Sequence, residues 1–237
     1  MGSNAEAIES YKRLIQLKPD DPDGYNNLGT LYNAKGSYAE AIKAFEKAIQ
    51  IRPDFPVALS NLGAAYSRAG RYQEAIDVLK KAEQLSPKDA EIINNLGVAY
   101  RKAGQYQGAI GAYGRALRLN PGEPEIHCNL GDAYYHLGRF REAIEGYRRA
   151  IERNPKVELY HFNLGVAHGS LGDHRAATEA YQEALRINPN YAQARFNLGL
   201  SYLMLKRREL ALQEYEVLKN ADKSRADKLL SLIKSAQ

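Results

Sequence analysis

The sequence predicts an all-α protein built as an array of stacked antiparallel helical hairpins, and three observations carry that expectation. A period of 34 residues runs through the chain without insertion: the asparagine of Asn27-Leu28-Gly29 returns at Asn61, Asn95, Asn129, Asn163 and Asn197. Within one period the apolar residues fall at helical spacing twice, once on each side of a glycine. Each period closes near a proline, at Pro19, Pro53, Pro87, Pro121, Pro155 and Pro189. A hairpin of this size cannot bury both its faces alone, so neighbours must stack.

Composition narrows the remaining classes. The chain has 237 residues, 44% apolar and 26% charged, which excludes wholesale disorder. One cysteine, Cys128, excludes a disulfide framework and a multi-thiolate metal site, and suits a cytoplasmic more than a secreted or periplasmic location. No run of 18 apolar residues occurs, so no membrane span is expected. Met1-Gly2-Ser3 reads as an expression scar, not a targeting segment. The formal net charge of +5 is the sum of local values between −2 and +2, with no continuous basic track for a nucleic acid backbone.

The elements follow in order. Residues 4–21, with Ile8, Tyr11, Leu14 and Leu17, fit only the second helix of a repeat, so the array opens on a half repeat. Six full repeats follow over 22–225, completing an array that spans 4–225. In the second, Leu59, Leu62, Gly63 and Tyr66 mark the packed face of a first helix, Gly70 breaks it, and Tyr72, Ala75, Ile76, Leu79 and Ala82 mark the second helix. Gly63 and Ala75 allow close approach of the two helices, and Gly70 suits the left-handed turn between them. The sixth repeat loses its turn glycine to Lys206 and its small residue to Leu218, and residues 225–237, with Ala226, Leu229, Leu230 and Ile233 on one face, read as a capping helix. An incomplete start beside a capped end predicts further repeats upstream in a longer parent.

This pattern resembles the tetratricopeptide repeat family over essentially the whole chain. The resemblance implies a right-handed superhelical α-solenoid and a non-catalytic interaction scaffold that binds a peptide segment of a partner protein in its concave groove. Numbering each repeat from Pro22, positions 2, 5, 6, 9, 12 and 13 of the first helix share a face away from the packing, and the family lines its groove with them.

Three features stand on that face. The first is the asparagine ladder at position 6, Asn27 to Asn197, whose carboxamides either pair with the backbone of an extended peptide or satisfy a neighbouring helix. It is similar to the ladder of O-linked N-acetylglucosamine transferases, which implies as an alternative the substrate-recruiting arm of a larger enzyme. The second is charge. Asp23, Glu91 and Glu125 stand toward one edge, with Arg68, Arg101, Lys102 and His136 toward the other, either to receive carboxylates or as a solvated face. The chaperone-binding carboxylate clamp is missing, since positions 5 and 9 hold no matching lysine and asparagine. The third is apolar: Phe162, Val166, Phe196, Leu200, Leu203 and Met204, expected to anchor a partner or a second copy, or to be buried against adjacent helices.

No catalytic constellation and no cofactor site is expected. Cys128 with His161 is the pair that would test for zinc. Gly108, Gly111 and Gly114 lie three apart within one helix and mark a flexible point, a flat contact strip or plain drift. Self-association through the bare N-terminal helix (Ile8, Tyr11, Leu14, Ile15) is a further alternative.

Overall fold

Proline and aspartate start many of the helices. Pro22, Pro56 and Pro124 each stand at the first helical position, where a missing N–H costs nothing. Asp89 caps another, its carboxylate accepting from the backbone N–H of Glu91 (3.0 Å) and Ile92 (3.2 Å). The computed structural model describes residues 2–235; Met1 of the expected scar and residues 236–237 of the expected cap lie outside the described residues.

Fourteen helices occur among the described residues: α1 (Gly2–Leu17), α2 (Pro22–Lys35), α3 (Tyr38–Ile51), α4 (Pro56–Arg68), α5 (Tyr72–Leu85), α6 (Ala90–Lys102), α7 (Tyr106–Leu119), α8 (Pro124–His136), α9 (Phe140–Arg153), α10 (Glu158–Ser170), α11 (His174–Ile187), α12 (Ala192–Met204), α13 (Arg208–Ala221) and α14 (Lys223–Ser235). They pack as sequential hairpins, α2 on α3, α4 on α5 and so on to α12 on α13. The fold is the all-α repeat array that the 34-residue period predicts. No helix among the described residues is long and apolar enough to cross a membrane.

The chain divides into two compact units, one ending at Pro121 and the other starting at Gly122. In the N-terminal unit the buried side chains of Phe45, Leu62, Ile76, Leu79 and Leu96 form a continuous core with Ala41, Ala65 and Ala75. Its helix α1 packs on α2, with Ile8 buried and Leu17 82% exposed. In the C-terminal unit one cluster runs from Phe162 through Tyr181, Leu198 and Leu218 to Leu229 and Ile233 of α14.

Two glycines show why the repeat calls for small residues. A Cβ on Gly63 would stand 2.4 Å from Leu79 Cγ, so only glycine allows α4 and α5 to approach this closely. The turn glycine Gly70 takes φ 79°, in the left-handed region. In the sixth repeat Lys206 occupies the corresponding turn and still adopts φ 58°, so the turn survives the loss of its glycine at a steric cost of about 1–2 kcal/mol.

The sixth hairpin differs in one further respect. Gly199 of α12 faces Leu229 of α14, its Cβ position 2.6 Å from Leu229 Cδ2, whereas Gly165 faces the ring of Tyr181 in its own hairpin. Leu218, fully buried, replaces the alanine found at that position in earlier repeats. The bulkier leucine accompanies the exchange: Tyr215 is only partly buried at the cluster edge and α14 fills the notch. Helix α14 therefore closes the core and adds a third wall beside α10 and α12.

Candidate functional site

The asparagine ladder bonds repeats to one another. Asn61 Nδ2 donates to Asn26 Oδ1 at 2.9 Å, Asn95 Nδ2 to Ser60 Oγ at 3.2 Å, and Asn163 Nδ2 to Asp132 Oδ1 at 3.2 Å with Cys128 Sγ at 3.7 Å. In sequence terms, the amide at position 6 reaches back to position 5, or to position 9, of the preceding repeat. A carboxylate accepts only, so Asp132 fixes which end of the Asn163 amide faces it. Of the two uses expected for these amides, the structure displays contact with a neighbouring helix. Asn27 is exposed and Asn129 half-buried.

The ladder changes at its end. Position 5 of the fifth repeat is Phe162, which offers no acceptor, and Asn197 Nδ2 instead meets the Tyr181 hydroxyl at 3.5 Å. Phe162 itself is 7% exposed, its ring 5.0 Å from that of Tyr191 and 5.9 Å from that of Tyr181. Of the outcomes expected for this stripe, Phe162 displays burial against adjacent helices: the ring is core because α11 and the start of α12 close over it. Phe196 is half-buried, with Lys228 Nζ 5.7 Å from its ring centroid.

The other expected residues distribute as follows. Arg68 and Lys102 are exposed and make no ion pair among the described residues, and Arg101 is half-buried. Asp23 is ion-paired with Arg52 at 2.7 Å, which occupies one of the acidic groups assigned to the binding edge. Tyr147 donates to Asp132 Oδ1 at 2.9 Å; burial first, and then the Asp132 carboxylate, hold its phenol well above the ordinary tyrosine range. His161 Nε2 lies 2.9 Å from the Pro155 carbonyl oxygen, and no group of three or more His, Cys, Asp or Glu able to hold a metal occurs among the described residues. Gly108 sits against the Tyr100 ring, while Gly111 and Gly114 face only the tips of Arg115 and Arg118; α7 continues through all three.

Four of the six predicted apolar residues come together. Val166 of α10 and Leu200, Leu203 and Met204 of α12 line a groove of about 600 Å³ within the C-terminal unit, with Leu232 of α14 on its far side. Polar groups punctuate it at Ser170, His174 and Asn197. Met204 is 63% exposed and Leu232 37%, so apolar surface faces outward here and is not consumed by packing. Sequence reasoning missed the contribution of α14; the leucine at position 218, in place of alanine, was the available sign that the last hairpin packs differently.

This hairpin array and its period define a class. The chain belongs to the tetratricopeptide repeat family: family models described as tetratricopeptide repeat match residues 22–88, 54–122, 94–158 and 193–224, and one described as TPR repeat matches 1–36 and 170–206. No curated protein matches the chain in sequence. Among solved structures it is similar to MamA at 26% identity, covering 70% of this chain and 97% of that one with a TM-score of 0.65. A chain of the APC/C hetero-tetramer Cut9–Hcn1 matches at 21% identity and TM-score 0.77 over 98% of this chain and 46% of that one. YrrB, described as a TPR protein with an unusual peptide-binding site, matches at 23% identity and TM-score 0.63 over 79% of this chain and 96% of that one. The last two likenesses are of fold alone.

Proposed function

We propose that the protein is a non-catalytic interaction scaffold that binds a peptide segment of a partner protein, and that the groove between α10, α12 and α14 is its principal contact surface. Proteins of this family generally mediate protein–protein interactions, which supports the general reading. The observation that carries the particular one is the outward-facing apolar lining of Val166, Leu200, Leu203, Met204 and Leu232 on a scaffold whose packing is already complete beneath it. Burial of apolar side chains there supplies the driving force, and the groove's fixed walls reduce the ordering cost of binding. The enzyme-arm alternative rests on the asparagine ladder, whose amides at Asn61, Asn95 and Asn163 are engaged between repeats, and draws nothing further from the geometry.

The test is selection of random twelve-residue peptides on the immobilised protein, followed by affinity measurement on Met204→Asp and Leu200→Asp. A carboxylate in the floor of the groove is expected to weaken the selected peptides by about tenfold or more. Selected peptides that bind both variants as tightly as the original protein would place binding elsewhere.

A further inference from the structure

A basic side chain borders the groove. On α14, Leu232 and Ser235 line the groove, and Lys228 lies one turn before Leu232 on the same helix face. The contacts of Phe196 with Lys228 and of Gly199 with Leu229 show α12 and α14 side by side in the same direction. Lys228 therefore stands at the Phe196 end of the apolar lane that continues through Leu200 to Met204. Its side chain is exposed, and no carboxylate pairs with it among the described residues.

The acids on the surrounding helices do not neutralise it. Helix α12 contains none, and its Arg195 is paired with Glu214 at 2.8 Å. On α10, Glu158 accepts from Asn188 at 3.2 Å. Asp227 is on α14 but about 100° from Lys228 around the helix. The arrangement is an apolar trough with, at one end, an ammonium that lies over the Phe196 ring and pairs with no carboxylate among the described residues.

We infer that the preferred occupant of this groove is an acidic–apolar segment, its apolar side chains seated on Leu200, Leu203 and Met204 and an Asp or Glu carboxylate meeting Lys228 Nζ. The eight-residue step from Phe196 to Met204 covers about 12 Å of helix, which about three to four residues of an extended chain also span. That sets the spacing between the apolar anchor at Met204 and the acid. A carboxylate placed there makes a charge-assisted hydrogen bond with the ammonium, which lies 5.7 Å from the Phe196 ring centroid. The inference rests on the groove reading above and adds the chemistry of the partner.

The same peptide selection tests it separately. Peptides with amidated C-termini are used, so that a carboxylate can come only from a side chain. Enrichment of Asp or Glu about three to four positions from a large apolar residue is expected. Lys228→Glu is expected to weaken such peptides by about tenfold and to favour their Glu→Lys counterparts, with an unchanged circular dichroism spectrum because the residue is exposed. Groove-dependent peptides with no acid preference, or with unchanged affinity for Lys228→Glu, would overturn this inference and leave the groove standing. Peptides indifferent to Met204→Asp, or no enrichment over a blank matrix, would overturn the groove and the inference with it.

Discussion

The two units put different chemistry at the same repeat position. In the N-terminal unit, position 5 is Asn26 and then Ser60, each accepting a hydrogen bond from the asparagine that follows 35 residues later. In the C-terminal unit the same position is first Cys128, still in contact with the Asn163 amide, and then becomes Phe162 and Phe196, where the amide of Asn197 is left with a tyrosine hydroxyl at 3.5 Å. One face is tied together by polar side chains. The last two repeats give up the position-5 acceptor, bury the ring of Phe162 and carry an apolar groove beside it. An acceptor is thus exchanged for a ring with the backbone pattern intact, and the proposed binding surface lies beside that exchange.

Substitutions can break or sharpen that contrast. The largest effect is expected at Phe162→Ala, where removal of a buried ring costs about 3–5 kcal/mol, read as a lower urea midpoint for the C-terminal unit. Asn26→Ala at the matching position is expected to cost only about 1 kcal/mol. Equal losses at the two sites would remove the contrast. Next in size, Lys206→Gly is expected to stabilise the last hairpin by about 1 kcal/mol, because glycine adopts φ 58° without strain. Hydrogen exchange of α12 and α13 checks this; unchanged protection would show that the lysine turn is unstrained.

A graded effect of comparable size is expected along the ladder. Asn163→Ala removes a bond to a carboxylate and should cost about 1–2 kcal/mol, whereas Asn197→Ala, with its long contact, should cost about 0.5 kcal/mol or less. The smallest effect concerns pH. Burial holds the His168 imidazole below the ordinary histidine range, so the folded state takes up this proton less readily than the unfolded chain. Stability is then fully present above the unfolded value, near about pH 6.5, and declines as the pH falls below it. His168→Tyr, which restores the residue found at Tyr134 and Tyr202, should flatten that decline in thermal melts from pH 7 to 5.

The array was legible in the sequence because period, turn glycines and closing prolines are local and repeat in register. The positions of the helices follow from the same spacing, as Gly63 against Leu79 illustrates. The site was legible only in part. A helical wheel shows that Phe162 and Val166 share a face, but not that Tyr181 and Tyr191 cover one and leave the other open. Likewise the wheel cannot tell an asparagine aimed at a peptide from one aimed at the preceding repeat, since its acceptor lies 35 residues away. The contribution of α14 depends on how Leu229 replaces a ring of the hairpin itself, which is a packing outcome and not a periodic one.

The central claim is that binding takes place on the apolar groove and not along the amide ladder. The chain has two methionines, and of these Met204 lies in the groove, 63% exposed. Carbon-13 labelling of methionine methyls therefore gives a reporter at the site, its signal assigned by its loss in Met204→Leu. Titration with a selected acidic–apolar peptide is expected to shift the Met204 methyl signal saturably. A peptide that binds with measurable affinity and leaves the Met204 signal unmoved would contradict the account.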